Sequence, residues 1–501
     1  MKFLKLLFNR FVFVTLSILL QIVFTVLLVV GLMDYWIFIV ISVVLSFLVF
    51  LNVTMRDINP AQQLLWITVI LIFPVGGIVL YLMIGDAKWS RRAKRRMRAV
   101  LDKQIPEINS LSQYPERYAG QINYLKNKTK TSAYAGCKTL YFPTGERYLK
   151  ALLEDLERAK KFIFLEFFII SEGRMWGSVL SVLERKVKEG VEVRVMYDDI
   201  GSTWKIPASY YKGLRKKGIK CVRFNRYLPF VTNLHNNRDH RKIVIIDGII
   251  AYTGGINLAD EYINEAGNDF FWKDTGVRIE GNAVNEFTEM FLQLYGINDL
   301  KCADRFEDYS HNCHVDSGEG GVVVPFGTGP SFFYTCPVAE EAILNMIAGA
   351  SKELIITTPY LIVDYSINRA LAIAVARGVD VKIVIPDVPD KKLVYMITRN
   401  NAEYLHKNGV KIYKSTGSFI HAKSVVADGE VAIVGTINLD YRSFLHHFEN
   451  AVWMYGTDAV KELKADVDEL CCDKNRISDK IGSNAIVRFV AAVMKIFTPL
   501  F

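Results

Sequence analysis

Two stretches of this chain read H-x-K-x4-D: His240, Lys242 and Asp247 in one, His421, Lys423 and Asp428 in the other. Each is followed at the same distance by a glycine-containing turn and an asparagine, Gly254-Gly255-Ile256-Asn257 and Gly435-Thr436-Ile437-Asn438. His240 to His421 is 181 residues, and Asn257 to Asn438 is also 181. A single H-x-K carries little information. One extended pattern repeated in register marks a duplicated domain. The residues after each histidine form β-branched runs, so histidine and lysine, two apart on a strand, point to one face. Each half then presents an imidazole beside an ammonium.

That set suits a phosphodiester. The lysine is a point charge for a phosphate oxygen. The glycine turn lets backbone approach an anion, and the amides of Asn257 and Asn438 can donate further hydrogen bonds. Two halves brought face to face would hold two imidazoles, two ammoniums and two amides, enough to bind a phosphodiester without a metal. The imidazoles also suit a two-step displacement. One attacks phosphorus while the other protonates the leaving alkoxide, and the second then deprotonates the incoming hydroxyl. A carboxylate can fix the tautomer of each; Asp274 and Glu449, downstream of the two motifs, are the candidates. No His, Cys or carboxylate cluster has ligand spacing for zinc or a paired-metal site, so neither a metal nor a cofactor is expected.

These residues need strands to carry them. Phe162–Phe168, Val191–Tyr197, Ile355–Thr358 and Val379–Ile385 read as buried strands alternating with amphipathic stretches, the pattern of α/β units. The repeat extends to Gly190-Val191-Glu192-Val193-Arg194 against Gly378-Val379-Asp380-Val381-Lys382. The first half carries about ten more residues before its histidine, through Phe224–Phe230, which fits a substrate-facing loop or a merely longer one. The seven cysteines are irregularly spaced without a CxxC pair, which argues for free thiols.

The N-terminus is a different module. Val12–Met33 and Tyr35–Val53 are uncharged runs of 22 and 19 residues, separated by Asp34. Both are long enough to span a bilayer core, which needs ~20 residues. Lys2, Lys5 and Arg10 also suit a signal peptide, but the apolar region is too long and no small-residue cleavage site precedes the second run. A third run, Leu64–Ile84, should break at Phe73-Pro74-Val75-Gly76-Gly77. Seven Lys and Arg follow between Lys88 and Arg98. Placing them on the cytoplasmic side requires the third run to be re-entrant or interfacial, hinged at Pro74; three true spans with an external N-terminus is the alternative. The net charge of +9 fits nucleic acid or an anionic lipid surface equally well. Near the C-terminus, Ile486, Phe489, Val490, Val493, Ile496 and Phe497 share one helical face, which suits either the membrane interface or core packing.

The paired motifs resemble the phospholipase D superfamily over nearly all the chain after about residue 135. The flanks are similar to bacterial cardiolipin synthases: Tyr197-Asp198-Asp199-Ile200-Gly201-Ser202, Trp272-Lys273-Asp274-Thr275, Thr357-Thr358-Pro359-Tyr360, and Asn438-Leu439-Asp440-Tyr441-Arg442-Ser443-Phe444 leading to Phe448-Glu449. The resemblance implies an α/β fold of two pseudo-symmetric α/β/α domains packed face to face, preceded by an α-helical membrane anchor. The expected divisions are an anchor at 1–86, a basic linker at 87–134, a first domain at 135–315 and a second at 316–501. The resemblance further implies His240 as nucleophile and His421 as acid, with two phosphatidylglycerols giving cardiolipin and glycerol. The expected partners are that phospholipid and the bilayer, not nucleic acid. The expected place is the bacterial inner membrane, crossed more than once, with cytoplasmic catalytic halves. A phospholipase D-type hydrolase or a nuclease remains open, as does a non-catalytic lipid-binding scaffold, although the intact His, Lys and Asp of both motifs argue against the last.

Overall fold

A computed structural model describes residues 36–85, 107–226, 236–298, 306–312, 320–331, 333–477 and 493–500, with isolated positions at 19–31 and 95–100. Two sheets dominate it. The first contains β2 (Lys138–Phe142), β3 (Phe162–Phe167), β4 (Glu192–Asp198), β5 (Lys220–Phe224), β6 (Lys242–Ile246), β7 (Ile250–Gly254) and β9 (Gly276–Glu280), in the order β2-β9-β7-β6-β3-β4-β5. The second contains β10 (Val322–Thr328), β11 (Glu353–Thr357), β12 (Asp380–Pro386), β13 (Lys411–Ser415), β15 (Ser424–Ala427), β16 (Val431–Gly435) and β17 (Glu449–Tyr455). Its order, β10-β17-β16-β15-β11-β12-β13, repeats the first strand for strand. In each sheet the last three strands are parallel and the rest antiparallel. Every residue of β3 and β6 is buried, as expected for strands covered on both faces.

The two sheets share a core. Phe164, Ile243, Phe287 and Phe291 from the first half pack with Val426, Val434, Met454 and Val460 from the second. The helices Val284–Asn298 and Asp458–Leu470 both contribute to this layer. One further cluster fills the outer side of each sheet. Part of the expected linker differs from that reading. Residues Glu116–Thr129 form a helix whose Tyr118, Ile122 and Leu125 enter the core of the second half. The short β1 (Tyr134–Ala135) likewise pairs with β10 and not with the first sheet.

At the N-terminal end, α1 (Trp36–Thr54) is followed by α2 (Pro60–Ile72) and α3 (Pro74–Leu80). The expected break falls at Phe73, directly before Pro74. Helices α2 and α3 fold back on each other, and a Cβ at Gly77 would collide with the backbone of Val69 and Ile70. Among the described residues no helix is long and apolar enough to cross a membrane. At ~1.5 Å per residue, a helix of α1's length rises about 28 Å, slightly under the ~30 Å of a bilayer core. The multi-span anchor expected from composition thus gains no spanning helix here. Its first run, Val12–Met33, lies almost wholly outside the described residues, as do most of the basic run, the stretch after Arg226 in the long loop, and Ile486, Phe489 and Val490.

Candidate active site

The strand order brings the two motif histidines to the seam between the halves, and a pair of short parallel contacts zips that seam. In one, β14 (Ser418–Ile420) pairs with β8 (Phe271–Lys273), and the His421 N–H donates to the Lys273 carbonyl at 2.7 Å. In the other, Asp239 bridges to Phe448, and the His240 N–H donates to the Phe448 carbonyl at 2.9 Å. Each histidine is thereby set beside the carboxylate of the opposite half. His240 Nδ1 lies 2.8 Å from Glu449 Oε2, and His421 Nδ1 lies 2.5 Å from Asp274 Oδ2. The structure thus brings Asp274 and Glu449, the two carboxylates named from the sequence, to the two histidines, with the pairing crossed between domains.

The two pairs are chemically unequal. Burial drives His240 down to about 3, so its imidazole is neutral. Glu449 is buried too, which alone would raise it, yet its interactions with His240 hold it well below the usual carboxylate range. An ionised Glu449 accepts Nδ1–H and leaves the His240 Nε2 lone pair free. Burial instead lifts Asp274 to about 7, against the opposing charge of Lys423. Burial, then Lys423 and Lys242, push His421 well down. The His421–Asp274 pair therefore keeps a proton on the carboxyl near neutrality, where the His240–Glu449 pair does not. Aromatic rings of Tyr262, Trp272 and Phe419 surround His421, while Phe168 stands edge-on to His240.

Both lysines reach the site. Lys242 Nζ donates to the His240 carbonyl at 2.7 Å, and Lys423 Nζ lies 2.9 Å from His421 Nδ1. Burial lowers them to about 7 and about 8, so an entering anion would restore their full charge. The two asparagines are held differently. The amide of Asn257 accepts from the Ile169 N–H and donates to the Tyr262 hydroxyl. Asn438 is buried with its Oδ1 unpartnered. The glycine turns also serve another purpose. A Cβ on Gly255 would overlap the Asp274 carboxylate, and one on Gly435 would overlap Asn450 and Ala451. These glycines admit the neighbouring strand and its carboxylate, not a ligand.

The motif aspartates do not reach the cleft. Asp247 and Asp428 sit at the far ends of β6 and β15, in Asp-Gly turns with positive φ. Asp247 accepts the backbone N–H groups of Lys160, Lys161 and Phe162 at 2.7–2.9 Å. Asp428 does the same for Ser351, Lys352 and Glu353. Each pins the start of the strand that pairs with its own motif.

Residues not anticipated complete the seam. The Thr436 hydroxyl donates to Glu449 Oε2. Asn450 receives the Lys242 N–H and donates to Thr253 Oγ1, tying the two sheets together. His447 faces His240 with ring centroids 5.5 Å apart. In the sequence it shows only as the second residue of the doublet His446-His447, separated from Glu449 by Phe448. His240, His447 and Glu449 are also, among the described residues, a group whose donor atoms all lie within 4.8 Å of one another. The hydrogen bond between His240 and Glu449 and the positive field of Lys242 fit an oriented imidazole better than a cation.

The family profile described as "Cardiolipin synthase, PLD-like domain" matches residues 152–295 and again 343–471, one copy in each half. This chain belongs to that family. It is similar to a cardiolipin synthase of a Geobacillus species, 33% identical over 93% of this chain and 95% of the relative. An uncharacterized protein of Streptococcus mutans is 39% identical over 87% of the chain and 95% of its own length. A solved phosphatidylserine synthase of Haemophilus influenzae superposes with a TM-score of 0.58 at 14% identity, covering 77% of this chain and 98% of that one, which supports the fold. The chain is thus an enzyme with a phospholipase D-like catalytic fold.

Proposed function

We propose that the enzyme is a cardiolipin synthase, joining two phosphatidylglycerol molecules through a phosphohistidine on His240. The observation that carries this reading is the inequality of the crossed pairs. His240 Nε2, neutral and backed by ionised Glu449, attacks the phosphorus of the first lipid. The P–O bond to glycerol breaks, and His421 Nε2–H protonates the departing alkoxide while the Asp274 proton moves onto His421 Nδ1. The glycerol hydroxyl of the second lipid then attacks phosphorus and returns its proton to the His421–Asp274 pair. The P–N bond breaks and His240 is regenerated. Lys242 and Lys423 offset charge on the phosphate oxygens throughout. Asp247 and Asp428 support the scaffold, Asn257 ties the Ile169 segment to Tyr262 beside the cleft, and the buried, unpartnered Asn438 Oδ1 leaves that amide open to a further polar contact.

A bilayer substrate calls for contact with lipid. In α1, Ser42 and Ser46 are buried while Val40, Val43, Val44, Phe47 and Leu48 are more than half exposed. Polar-in and apolar-out is the reverse of a water-facing helix. This pattern, with the basic run after it, supports attachment to the bacterial inner membrane with both catalytic halves on the cytoplasmic side. The domain divisions near 135 and 316 follow the same reading, with the helix at 116–129 assigned to the second domain.

The test uses purified protein and labelled phosphatidylglycerol in detergent. Cardiolipin with released glycerol is expected, and phosphatidic acid alone would favour a hydrolase. In the His421→Ala variant a lipid with a good leaving group should leave a phosphatidyl adduct on His240. Its appearance on another residue would overturn the assignment.

A further inference from the structure

Glu449 is bonded unevenly. Its Oε2 receives both the His240 Nδ1–H and the Thr436 hydroxyl. Its Oε1 is buried and has no hydrogen-bond partner. The His447 imidazole faces that oxygen, with Nδ1 3.5 Å away. His447 is itself 9% exposed, and neither of its ring nitrogens has a partner. Leaving a buried carboxylate oxygen without a donor is costly, and so is leaving an imidazole N–H without an acceptor. One short movement satisfies both.

We propose that His447 is a positioning residue for the nucleophile, donating its Nδ1–H to Glu449 Oε1. A carboxylate held by Thr436 alone can rotate about its terminal bond. Held at both oxygens, it keeps Oε2 aligned with His240 Nδ1. The alignment matters most at the transition state, where attack by Nε2 puts positive charge on the His240 ring and the hydrogen bond to Glu449 strengthens. Hydrogen bonds of this kind are commonly long before substrate enters and tighten in the reacting complex. The loop geometry fits the role. The His447 N–H donates to the Arg442 carbonyl, closing a turn that leads straight into the Phe448 seam, so imidazole and carboxylate are carried two residues apart on one short segment. Asp440, His446 and His240 are the other titratable groups whose charge His447 influences. None of them is hydrogen-bonded to its ring.

This inference rests on His240 being the nucleophile. The experiment compares His447→Leu, which removes the donor, with His447→Asn, which places an amide N–H near the same position. Single-turnover formation of the phosphatidyl adduct is followed in each. We expect Leu to slow adduct formation by roughly 10- to 100-fold, the usual effect of losing an orienting partner, with KM and melting temperature little changed. Asn should recover most of that loss. In a Glu449→Gln background the Leu substitution should cost less than threefold, because His447 acts through that carboxylate. If Leu fails to fold, His447→Phe, which keeps a ring at the position but carries no donor, makes the same comparison in the two backgrounds. Equal, additive losses in both backgrounds, or an unchanged rate in Leu, would overturn the proposal. An adduct trapped on His421 would instead overturn the assignment of the nucleophile, a separate outcome read from the labelled peptide.

Discussion

At the level of single residues, the site is a set of buried groups whose neighbours decide where protons rest. Lysines that burial draws down to about 7 and 8, beside a carboxyl lifted to about 7, make the free enzyme sensitive to alkaline pH. Below pH 7 Asp274 keeps its proton and both ammoniums are charged. As pH rises through 7 to 8 the acid pair loses its proton and the phosphate loses its counter-charges. The two effects separate by substrate. With phosphatidylglycerol, kcat should fall on the alkaline side because glycerol leaves only with a proton. With a nitrophenyl ester of phosphatidic acid, which leaves unprotonated, adduct formation should keep its rate while KM still rises from the lost lysine charge. Identical alkaline limbs in kcat for both substrates would remove His421–Asp274 from the role of acid. The residues to which this chemistry is assigned were named from the chain, His240, Lys242, His421 and Lys423 from the repeat and Asp274 and Glu449 from position downstream, and the fold brings them together at one seam. What could not be read was the crossing, since nothing in one half's spacing says that its carboxylate serves the other half's histidine. His447 was overlooked for the same reason, because its significance depends on a distance across the seam.

At the level of elements, the motif aspartates show how a sequence pattern can hold a structural residue inside a catalytic one. The x4 stretch of H-x-K-x4-D runs along β6 or β15, so the aspartate lands at the opposite end of the strand, about 23 Å from its histidine at ~3.3 Å per residue. The strands themselves were readable from β-branched runs, while the left-handed Asp-Gly turns came from the structure. That the carboxylate caps the neighbouring strand required the sheet. Asp428 accepts three backbone N–H groups, pairs with Arg117, and is held below the ordinary carboxylate value because those backbone bonds outweigh burial. A depressed pKa contributes stability above the unfolded value of about 4, and that contribution is lost as pH falls through the folded value. Asp428→Asn should therefore destabilise the protein at pH 7 by about 1–3 kcal/mol, a charge-assisted bond's worth. The gap to the native chain should narrow near pH 3. Urea melts at the two pH values measure it, and a gap that stays constant on acidification would show that charge is not what the turn requires. Activity per folded molecule should be retained, since the cleft lies at the other end of the strand.

For the whole molecule, the duplicated sheets explain the cleft, and the N-terminal helices explain how a lipid would reach it. Helix α2 is seated on the second half: Gln62 lies 3.2 Å from His446, one residue from His447, and Ala61 packs with Ile362, Ile397 and Tyr441. Helix α1 packs against α2 and turns its apolar side chains outward, so any lipid it contacts is held close to the loop that orients His240. Val40, Val44 and Phe47 lie on one face at i, i+4 and i+7, each more than half exposed. Replacing all three with serine removes apolar surface from the exposed side without touching Ser42, Ser46 or Val53, which form the packed side. Had α1 been an ordinary water-facing helix, the change would be neutral or would raise solubility. Under the lipid-contact reading it should lower turnover on phosphatidylglycerol vesicles at least tenfold and shift the protein from the membrane pellet to the supernatant. Turnover on detergent-dispersed lipid and the melting temperature should stay close to native, because the cleft is built entirely from the two sheets and their seam. Equal losses on vesicles and in detergent, together with a lower melting temperature, would instead make α1 a structural strut whose exposed face has no part in holding the enzyme to its substrate.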